Sequence, residues 1–285
     1  MPIALNVHTT GQGFPILCLH GHPGSSRCME VFTQPLSQQF QMIAPDLRGY
    51  GGSPAHQAFT MQDHLADLHQ LLDQLNIDRY IALGWSLGGI LAMELALSQG
   101  DRLAGLILVA TAAHPRSNHP PVGWMEVANT GIASIVNRLV PGWQWNIDTF
   151  GRRSLYQYLI QRHTPSTYQY LADAALSAYL QTSRHATAAL NQAIRSGYNR
   201  TADLSSISCP ALVLAGECDR HIMASASAET AQQLQQGQFQ QYPNTAHLFP
   251  WEVPQQVITD IQAWLADIQL HPEDLPSNSI TDDTL

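Results

Sequence analysis

The sequence predicts an α/β protein with a mostly parallel central sheet, helices on both faces and an inserted helical cap. Short apolar runs of strand length alternate with longer helix-forming runs at both ends of the chain. Several of these apolar runs end in loops rich in glycine, histidine or acidic residues. Residues 112–200 interrupt the alternation with proline breaks and aromatic stretches. Alternating strands and helices indicate a sheet covered on both faces, with a site at the carboxyl ends of its strands.

The composition narrows the class of protein. The 285 residues are 45% hydrophobic, and no apolar run approaches the roughly 20 residues of a membrane span. The four cysteines have neither disulfide-framework nor zinc-type spacing, and the N-terminus has no signal-peptide pattern, so we expect a cytoplasmic protein. The formal net charge of −9 argues against general nucleic-acid binding. All 13 basic residues are arginines, so no lysine is present for Schiff-base chemistry.

The N-terminal third predicts three strands and one helix. Residues 3–9 alternate between apolar and polar, as an edge strand does, and residues 14–19 form a continuous apolar run typical of a buried strand. Residues 41–44 predict a further short strand. Thr60 and Asp63 resemble a capping box, and the leucines that follow lie on one helical face.

The central motif is an apolar strand, a tight turn and a helix around Ser86. The turn has the pattern G-x-S-x-G, with Gly84 and Gly88 on either side of the serine, and residues 87–98 are good helix formers. In a nucleophile elbow this pattern holds the serine hydroxyl at the carboxyl end of a parallel sheet. The pattern also occurs by chance in glycine-rich loops, so catalytic partners elsewhere in the chain are required.

The rest of the chain divides into a strand, a cap, a second strand–helix series and a tail. Residues 103–110 predict a strand. The cap contains helical stretches at residues 155–160 and 168–180. Strands and helices then resume, in the order 211–215 (strand), 225–234 (helix), 239–242 (strand) and 253–268 (helix). We therefore predict a core of residues 1–111 and 201–270, a helical cap of residues 112–200, and a disordered acidic tail of residues 271–285.

The loops after the last two predicted strands supply an acid and a base for Ser86. Asp219 follows the strand 211–215, and His247 follows the strand 239–242. A serine hydroxyl needs a base to take its proton, and the imidazole needs a carboxylate to hold its tautomer. An aspartate after a strand can instead cap a helix, and a lone histidine can simply be packed. The order of the three residues along the chain favours catalysis, with Glu217 as the reserve acid.

The oxyanion hole predicted with this triad is made of backbone amides. One belongs to Leu87, the residue after the nucleophile, and the other to His22 in the loop after the second strand. The alternating pair His20 and His22 has no nearby cysteine or carboxylate, so we predict no metal site there.

With these motifs the chain resembles the α/β-hydrolase-fold superfamily, which includes esterases, perhydrolases, C–C hydrolases, epoxide hydrolases and haloalkane dehalogenases. The resemblance covers nearly all of the chain outside the cap and tail. It is carried by the segments at residues 20–24, 46–51, 84–89 and 216–219 and by His247, with Glu252 and Pro254 behind it. In this family the loop 46–51 is mainly structural, so Arg48 is not assigned to catalysis.

Differences within the superfamily narrow the expected activity. Epoxide hydrolases and haloalkane dehalogenases have aspartate at the elbow, where this chain has Ser86. The menaquinone-pathway enzyme that eliminates pyruvate has an arginine shortly after the elbow glycines, where this chain has Ile90. The elbow Gly-Trp-Ser-Leu-Gly-Gly is similar to that of pimeloyl-carrier-protein methyl ester esterases.

The cap has an uneven charge and many aromatic residues. It contains eight arginines and three acidic residues. These charges can be ordinary solvated helix faces, or they can attract an anionic substrate or an acidic carrier protein. Aromatic residues predict an apolar acyl pocket, for which the candidate residues are Trp85, Trp124, Trp143 and Trp145.

The sequence therefore predicts a serine hydrolase that acts on a carboxylic ester through an acyl-enzyme. It needs no cofactor or metal, and its partner is a small-molecule ester rather than a nucleic acid or a membrane. A C–C (diketone) hydrolase or a perhydrolase with the same triad is the first alternative. A receptor that keeps the triad but turns over little is the second.

Overall fold

The computed structural model describes residues 1–268 and contains one seven-stranded sheet. The strand order is β1-β3-β2-β4-β5-β6-β7, with β1 antiparallel to β3 and every other pair parallel. The strands are β1 (Val7–Thr10), β2 (Pro15–Leu19), β3 (Gln41–Pro45), β4 (Tyr80–Trp85), β5 (Leu103–Val109), β6 (Ala211–Gly216) and β7 (Gly237–Tyr242). The predicted parallel sheet is confirmed.

Helices cover both faces of this sheet. Before the cap segment the core helices are α1 (Glu30–Leu36), α2 (Met61–Gln74) and α3 (Leu87–Ser98). After it they are α10 (Ala224–Gln233), α11 (Phe249–Glu252) and α12 (Pro254–Asp267). Successive residues of β2 enter different cores: Ile16 packs with α1 and α12, whereas Leu17 packs with α2, α3 and α10. This alternation follows from the twofold side-chain period of a strand.

The segment between β5 and β6 is helical, as the predicted cap requires. Its helices are α4 (Trp124–Leu139), α5 (Gln144–Thr149), α6 (Tyr156–Leu159), α7 (Pro165–Tyr170), α8 (Leu176–Leu180) and α9 (Arg184–Arg195), with a π-helical turn at Leu171–Ala175. The stretch predicted as one helix over residues 168–180 is thus built from α7, the π turn and α8. The helices α4 and α9 were not predicted.

In the core, the structure differs from the sequence prediction at two elements. The first strand begins at Val7 rather than at Ile3, because side chains hold the chain before it: Ile3 N–H donates to Asp67 Oδ1 at 2.7 Å and Asn6 N–H donates to Ser53 Oγ at 2.8 Å. The helix α1 was not predicted, and Pro35 lies inside it. The predicted tail at residues 271–285 lies outside the described residues.

Cap and core are joined by polar contacts at several points. Arg200, at the end of the cap, binds Glu94 of α3 through Nε–Oε1 at 2.7 Å and Nη2–Oε2 at 3.1 Å. Arg116 pairs with Glu229 of α10 at 2.5 Å. Arg162 donates to the carbonyl oxygens of Pro243 and Asn244, both at 3.0 Å. These contacts connect the cap to the ends of the strands and helices around which the candidate site is built.

Candidate active site

The turn after β4 holds Ser86 in a strained conformation. Its φ of 54° and ψ of −115° lie in a region that non-glycine residues rarely adopt. Ser86 N–H donates to Val109 O at 2.8 Å, and Ser86 O accepts from Gly89 N–H at 3.0 Å. A Cβ on Gly84 would overlap the carbonyl of Gly88, so the bend can close only with glycine there. Local sequence therefore forces the serine to the carboxyl edge of the sheet.

The acid and the base meet at the same edge of the sheet. Asp219 Oδ2 lies 2.8 Å from His247 Nδ1, and both side chains are buried. Asp219 Oδ1 accepts from the N–H groups of His221 at 2.8 Å and Ile222 at 2.9 Å, which fixes the carboxylate. Because an aspartate accepts here, His247 Nδ1 donates and Nε2 is left as the acceptor in the neutral ring.

Glu217, the reserve acid, has a different role. Its side chain is exposed, and Oε2 accepts from Asn244 N–H at 2.8 Å. Asp219, two residues later, is the carboxylate that contacts the imidazole.

The loop that carries His247 is held by a second carboxylate. Glu252 Oε1 accepts from Ala246 N–H at 2.9 Å, and Oε2 accepts from Gln161 N–H at 3.1 Å in the cap. Leu248 N–H donates to Leu159 O at 2.9 Å, also in the cap. The position of the base therefore depends on both the core and the cap.

The side chain of Trp85, which precedes Ser86 in the chain, packs beside His247. The Trp85 indole, next to the nucleophile, has its ring centroid 5.8 Å from the His247 ring. Among residues 1–268, Ser86 Oγ makes no hydrogen bond to His247 in this conformation. Catalytic hydrogen bonds of this kind are often long until substrate binds, so their length does not rule a base out.

The loop after β2 lies against the elbow. A Cβ on Gly21 would come within 3.2 Å of Ser86 Cβ, which puts the neighbouring peptide of His22 beside the serine. Leu87 begins α3, so its N–H has no acceptor within the helix. The two amides predicted to form the oxyanion hole thus belong to two segments that adjoin Ser86.

His20 holds this loop in place. Leu47 N–H donates to His20 Nε2 at 3.0 Å, and His20 Nδ1 therefore carries the proton that is donated to Gly21 O at 2.8 Å. Burial lowers the pKa of His20 to about 4, so the ring is neutral near pH 7. With both ring nitrogens engaged, His20 is unsuited to a metal. In residues 1–268 no group of three or more His, Cys, Asp or Glu side chains could hold a metal ion.

A second histidine packs on the predicted base. The His221 ring lies edge-on to His247, with ring centroids 4.8 Å apart. Partial desolvation, and after it the neighbouring His247, lowers the pKa of His221 below its ordinary value. Sequence reasoning missed this residue, although its position two residues after Asp219 places it in the same loop.

A cluster of aromatic rings packs beside His247, but its members differ from those predicted. Trp85 contacts Trp251, with ring centroids 4.7 Å apart, and Trp251 stacks on Tyr170 of the cap at 4.1 Å. The indole N–H groups of Trp85 and Trp251 are buried and have no acceptor among the described residues. Trp85 is thus brought to the site, together with two rings that were not predicted.

Trp124, Trp143 and Trp145 are not brought to the triad. Trp124 is 79% exposed at the start of α4, and Trp143 and Trp145 are about half exposed and contact each other with ring centroids 4.8 Å apart. Their exposure gives no support to the expectation that they wall an acyl pocket. Aromatic content alone does not say on which side of a cap a ring lies.

The chain is similar to a known protein family and to several characterised proteins. It matches the Alpha/beta hydrolase family over residues 16–260. A pimeloyl-acyl-carrier-protein methyl ester esterase of Vibrio atlanticus is 30% identical over 146 residues, which are 50% of this chain and 54% of that protein. Haloalkane dehalogenase 2 of Mycobacterium tuberculosis is 33% identical over 100 residues, which are 34% of this chain and 35% of that protein. The chain therefore aligns with about half or less of the length of these relatives.

Solved structures match over nearly the whole length. A thermophilic esterase from Thermogutta terrifontis, solved with malate bound, has a TM-score of 0.69 and 28% identity, with 93% of this chain and 94% of that chain covered. An enol-lactonase from Burkholderia xenovorans has a TM-score of 0.72 at 20% identity, with 92% and 96% covered, and shows the fold alone. Among residues 1–268 no helix is both long enough and apolar enough to cross a bilayer.

Proposed function

The chain belongs to the alpha/beta hydrolase family, and from this premise we propose that it is a hydrolase that cleaves a carboxylic ester through an acyl-enzyme on Ser86. The observation that carries the proposal is the hydrogen bond of 2.8 Å between Asp219 and His247 at the sheet edge where strained Ser86 also lies. An oriented imidazole beside a serine at a strand-to-helix bend is the arrangement that acyl transfer requires.

In the proposed reaction, His247 Nε2 accepts the proton of Ser86 Oγ as the oxygen attacks the ester carbonyl. Asp219 keeps the proton of His247 on Nδ1 and stabilises the imidazolium. The N–H groups of Leu87 and His22 bind the negative oxygen of the tetrahedral intermediate. His247 then protonates the departing alcohol, and a water activated by the same imidazole clears the acyl group. No step uses a cofactor.

Labelling with a fluorophosphonate tests the nucleophile directly. We expect one phosphonylated residue, Ser86, by mass spectrometry, and loss of both labelling and p-nitrophenyl ester turnover in Ser86→Ala. Ser98→Ala, at the far end of the same helix, is the matched control and keeps both. Labelling that persists in Ser86→Ala would contradict the proposal. Tight binding of a small molecule without turnover would favour a receptor.

The proposed substrate has an acyl group with a further oxygen acceptor. Support comes from the buried indole N–H groups of Trp85 and Trp251, since an unpaired buried donor costs about 1–3 kcal/mol and is relieved by an acceptor. The same observation favours the second candidate, a C–C hydrolase, because a diketone has such an additional carbonyl. Comparing a 3-oxo ester, the matching plain ester and a 1,3-diketone separates these cases. Equal kcat/KM for the two esters would contradict the role of the indoles.

We also propose that the substrate is anionic or is attached to an acidic carrier protein. Fewer cap arginines are available to attract it than the eight counted in the sequence. Arg116, Arg152 and Arg200 are paired with acidic side chains, which leaves less free positive charge on the cap. Arg138, Arg184 and Arg195 are exposed and make no ion pair within residues 1–268. We expect added salt to lower kcat/KM for an anionic ester but not for a neutral one. An equal salt response for both esters would contradict this part of the proposal.

A further inference from the structure

The helix α4 turns an apolar face away from the protein. We call the α4 outer face the set of residues Trp124, Met125, Ala128, Ile132, Ile135 and Leu139, all of which are exposed. Met125 is 60% exposed, Ile135 62% and Leu139 76%. A helix normally buries its apolar stripe and exposes its polar one. In α4 the apolar side is exposed instead, and this exposure needs an explanation.

The opposite side of α4 is firmly attached to the cap. Asn137 Nδ2 donates to Tyr168 O at 2.6 Å, and Asn146 Nδ2 donates to Ala133 O at 3.0 Å. Ser134 Oγ lies 2.7 Å from Tyr156 Oη, and Thr130 Oγ1 accepts from Leu155 N–H at 2.9 Å. Rotating α4 to bury its apolar residues would break all of these bonds. The outward direction of the apolar face is therefore built into the cap.

The spacing of this face matches the seam of paired helices. From Met125 the apolar positions follow at three, four, three and four residues, through Ala128, Ile132 and Ile135 to Leu139. This is the heptad spacing with which two helices pack along their length. The face contains no charged residue.

The exposed area is large for a monomer. With side-chain areas of roughly 150–250 Å², the exposed fractions give on the order of 600 Å² on the α4 outer face and about 900 Å² when Val140, Trp143 and Trp145 are added. The largest apolar patch of a typical monomer is about 300–600 Å², whereas a stable interface buries about 800 Å² per partner. The α4 outer face by itself is thus at the upper end of the range for a monomer, and together with Val140, Trp143 and Trp145 it reaches the size of one side of a protein interface.

We propose that the α4 outer face is the interface of a homodimer, in which α4 of one copy packs antiparallel against α4 of a second copy of this chain. A twofold axis at Ile132 brings Ile132 against its own copy and Met125 of one chain against Leu139 of the other. Such self-complementary pairing is what a twofold dimer requires. Antiparallel helices also place their dipoles in opposite directions.

A lipid surface fits the α4 outer face less well than a second copy of the chain does. Helices that lie on membranes have arginine or lysine along their polar side. The polar side of α4 is used inside the cap, where Glu126 accepts hydrogen bonds from Gly123 N–H and Tyr158 O–H. The protein has a formal net charge of −9, which does not favour an anionic bilayer.

Analytical ultracentrifugation of the full chain tests the proposal. We expect the wild type to sediment as a dimer in the low micromolar range and Leu139→Glu to raise the dimer dissociation constant by at least about 100-fold. Leu75→Glu, an exposed leucine at the end of α2, is the matched control and leaves the dimer intact. Ester turnover and circular dichroism unchanged in both variants confirm that each is folded.

Cysteine cross-linking tests the axis. Under oxidising conditions Ile132→Cys joins two chains, whereas Leu75→Cys, exposed at the end of α2, does not. A wild type that stays monomeric at 50–100 μM, as an order-of-magnitude range for weak association, would overturn the proposal. So would a dimer that Leu139→Glu leaves unchanged, or a monomer that floats with phosphatidylcholine vesicles.

Discussion

At the scale of single residues, the carboxylate of Asp219 is held by three hydrogen bonds. It accepts two backbone N–H bonds on one oxygen and the His247 ring on the other. The backbone bonds fix the carboxylate before substrate arrives, and the carboxylate in turn fixes the tautomer of the imidazole. Removing its charge while keeping its shape should therefore affect catalysis more than folding.

Asp219→Asn is expected to lower kcat by about 10³–10⁴-fold, because an amide favours the wrong tautomer of His247. Steady-state kinetics on a p-nitrophenyl ester measures the loss, and thermal unfolding measures folding. Glu217→Gln, the nearby exposed carboxylate, serves as control and should keep kcat within about twofold, since surface changes are usually small in effect. If Glu217→Gln were the inactive variant, the assignment of the acid would be wrong.

At the scale of elements, the strand-to-helix bend and the cap attachment position the site. The start of α3 packs directly on the end of β2, so the elbow and the loop at His20 form one unit. Arg200 secures the end of the cap to α3. Both contacts are long-range in sequence, and both act on α3, the helix that follows Ser86.

Gly88→Ala should destabilise the protein by about 3 kcal/mol or more and abolish turnover, because the new Cβ would overlap the Leu19 carbonyl and lie 2.9 Å from His20 O. Backbone atoms cannot move aside as a flexible side chain can. Urea unfolding gives the free energy. Gly100→Ala is matched to it, since nothing lies within 4 Å of a Cβ there, and should stay within about 0.5 kcal/mol of wild type. Equal losses in both variants would show that the close approach is unimportant.

Replacing only the arginine of the ion pair between the cap and α3 should lower the unfolding free energy more than replacing both of its partners. Arg200→Met leaves Glu94 with little solvent and no cation, and we expect a loss of about 1–3 kcal/mol in unfolding free energy, moderated because the Arg200 side chain is 38% exposed. The double variant Arg200→Met with Glu94→Leu should recover at least half of that loss. A double variant that is less stable than Arg200→Met would indicate that the pair itself is strongly stabilising.

At the scale of the whole molecule, the fold buries two histidines, His20 and His64, that stay neutral near pH 7. Burial lowers the pKa of each below its ordinary value, to about 4 for His20 and to about 3 for His64. The unfolded chain binds these protons near pH 6.5, and the folded chain does not. Acid therefore favours the unfolded state.

The unfolding free energy should fall as the pH drops from about 6.5 to about 4, by up to roughly 1.4 kcal/mol per pH unit for each fully buried histidine. The stability is present above the unfolded pKa and is lost toward the folded pKa. Glu252, whose pKa is raised by burial, has the opposite effect but is one group against two. Urea titrations at pH 7, 6 and 5 measure the slope, and His64→Gln should reduce it. A free energy that does not change between pH 7 and pH 5 would contradict the expectation.

Much of the core was predictable because its signals are local. The apolar period of β2, β4 and β6, the glycines around Ser86 and the order of Ser86, Asp219 and His247 are all properties of short segments. Regular periods and steric limits act within a few residues, so they can be read without knowing what the segment touches.

The sequence by itself thus determined the α/β class, the parallel sheet and the strand ends at which the candidate site is built. Only the tertiary structure decided that Asp219 rather than Glu217 faces the imidazole, that Trp251 and Tyr170 rather than Trp124 join Trp85, and that the apolar side of α4 faces outward. A pattern states that a side chain is acidic, aromatic or on an apolar face. Which neighbour it meets depends on packing between segments far apart in the chain, and no local period encodes that.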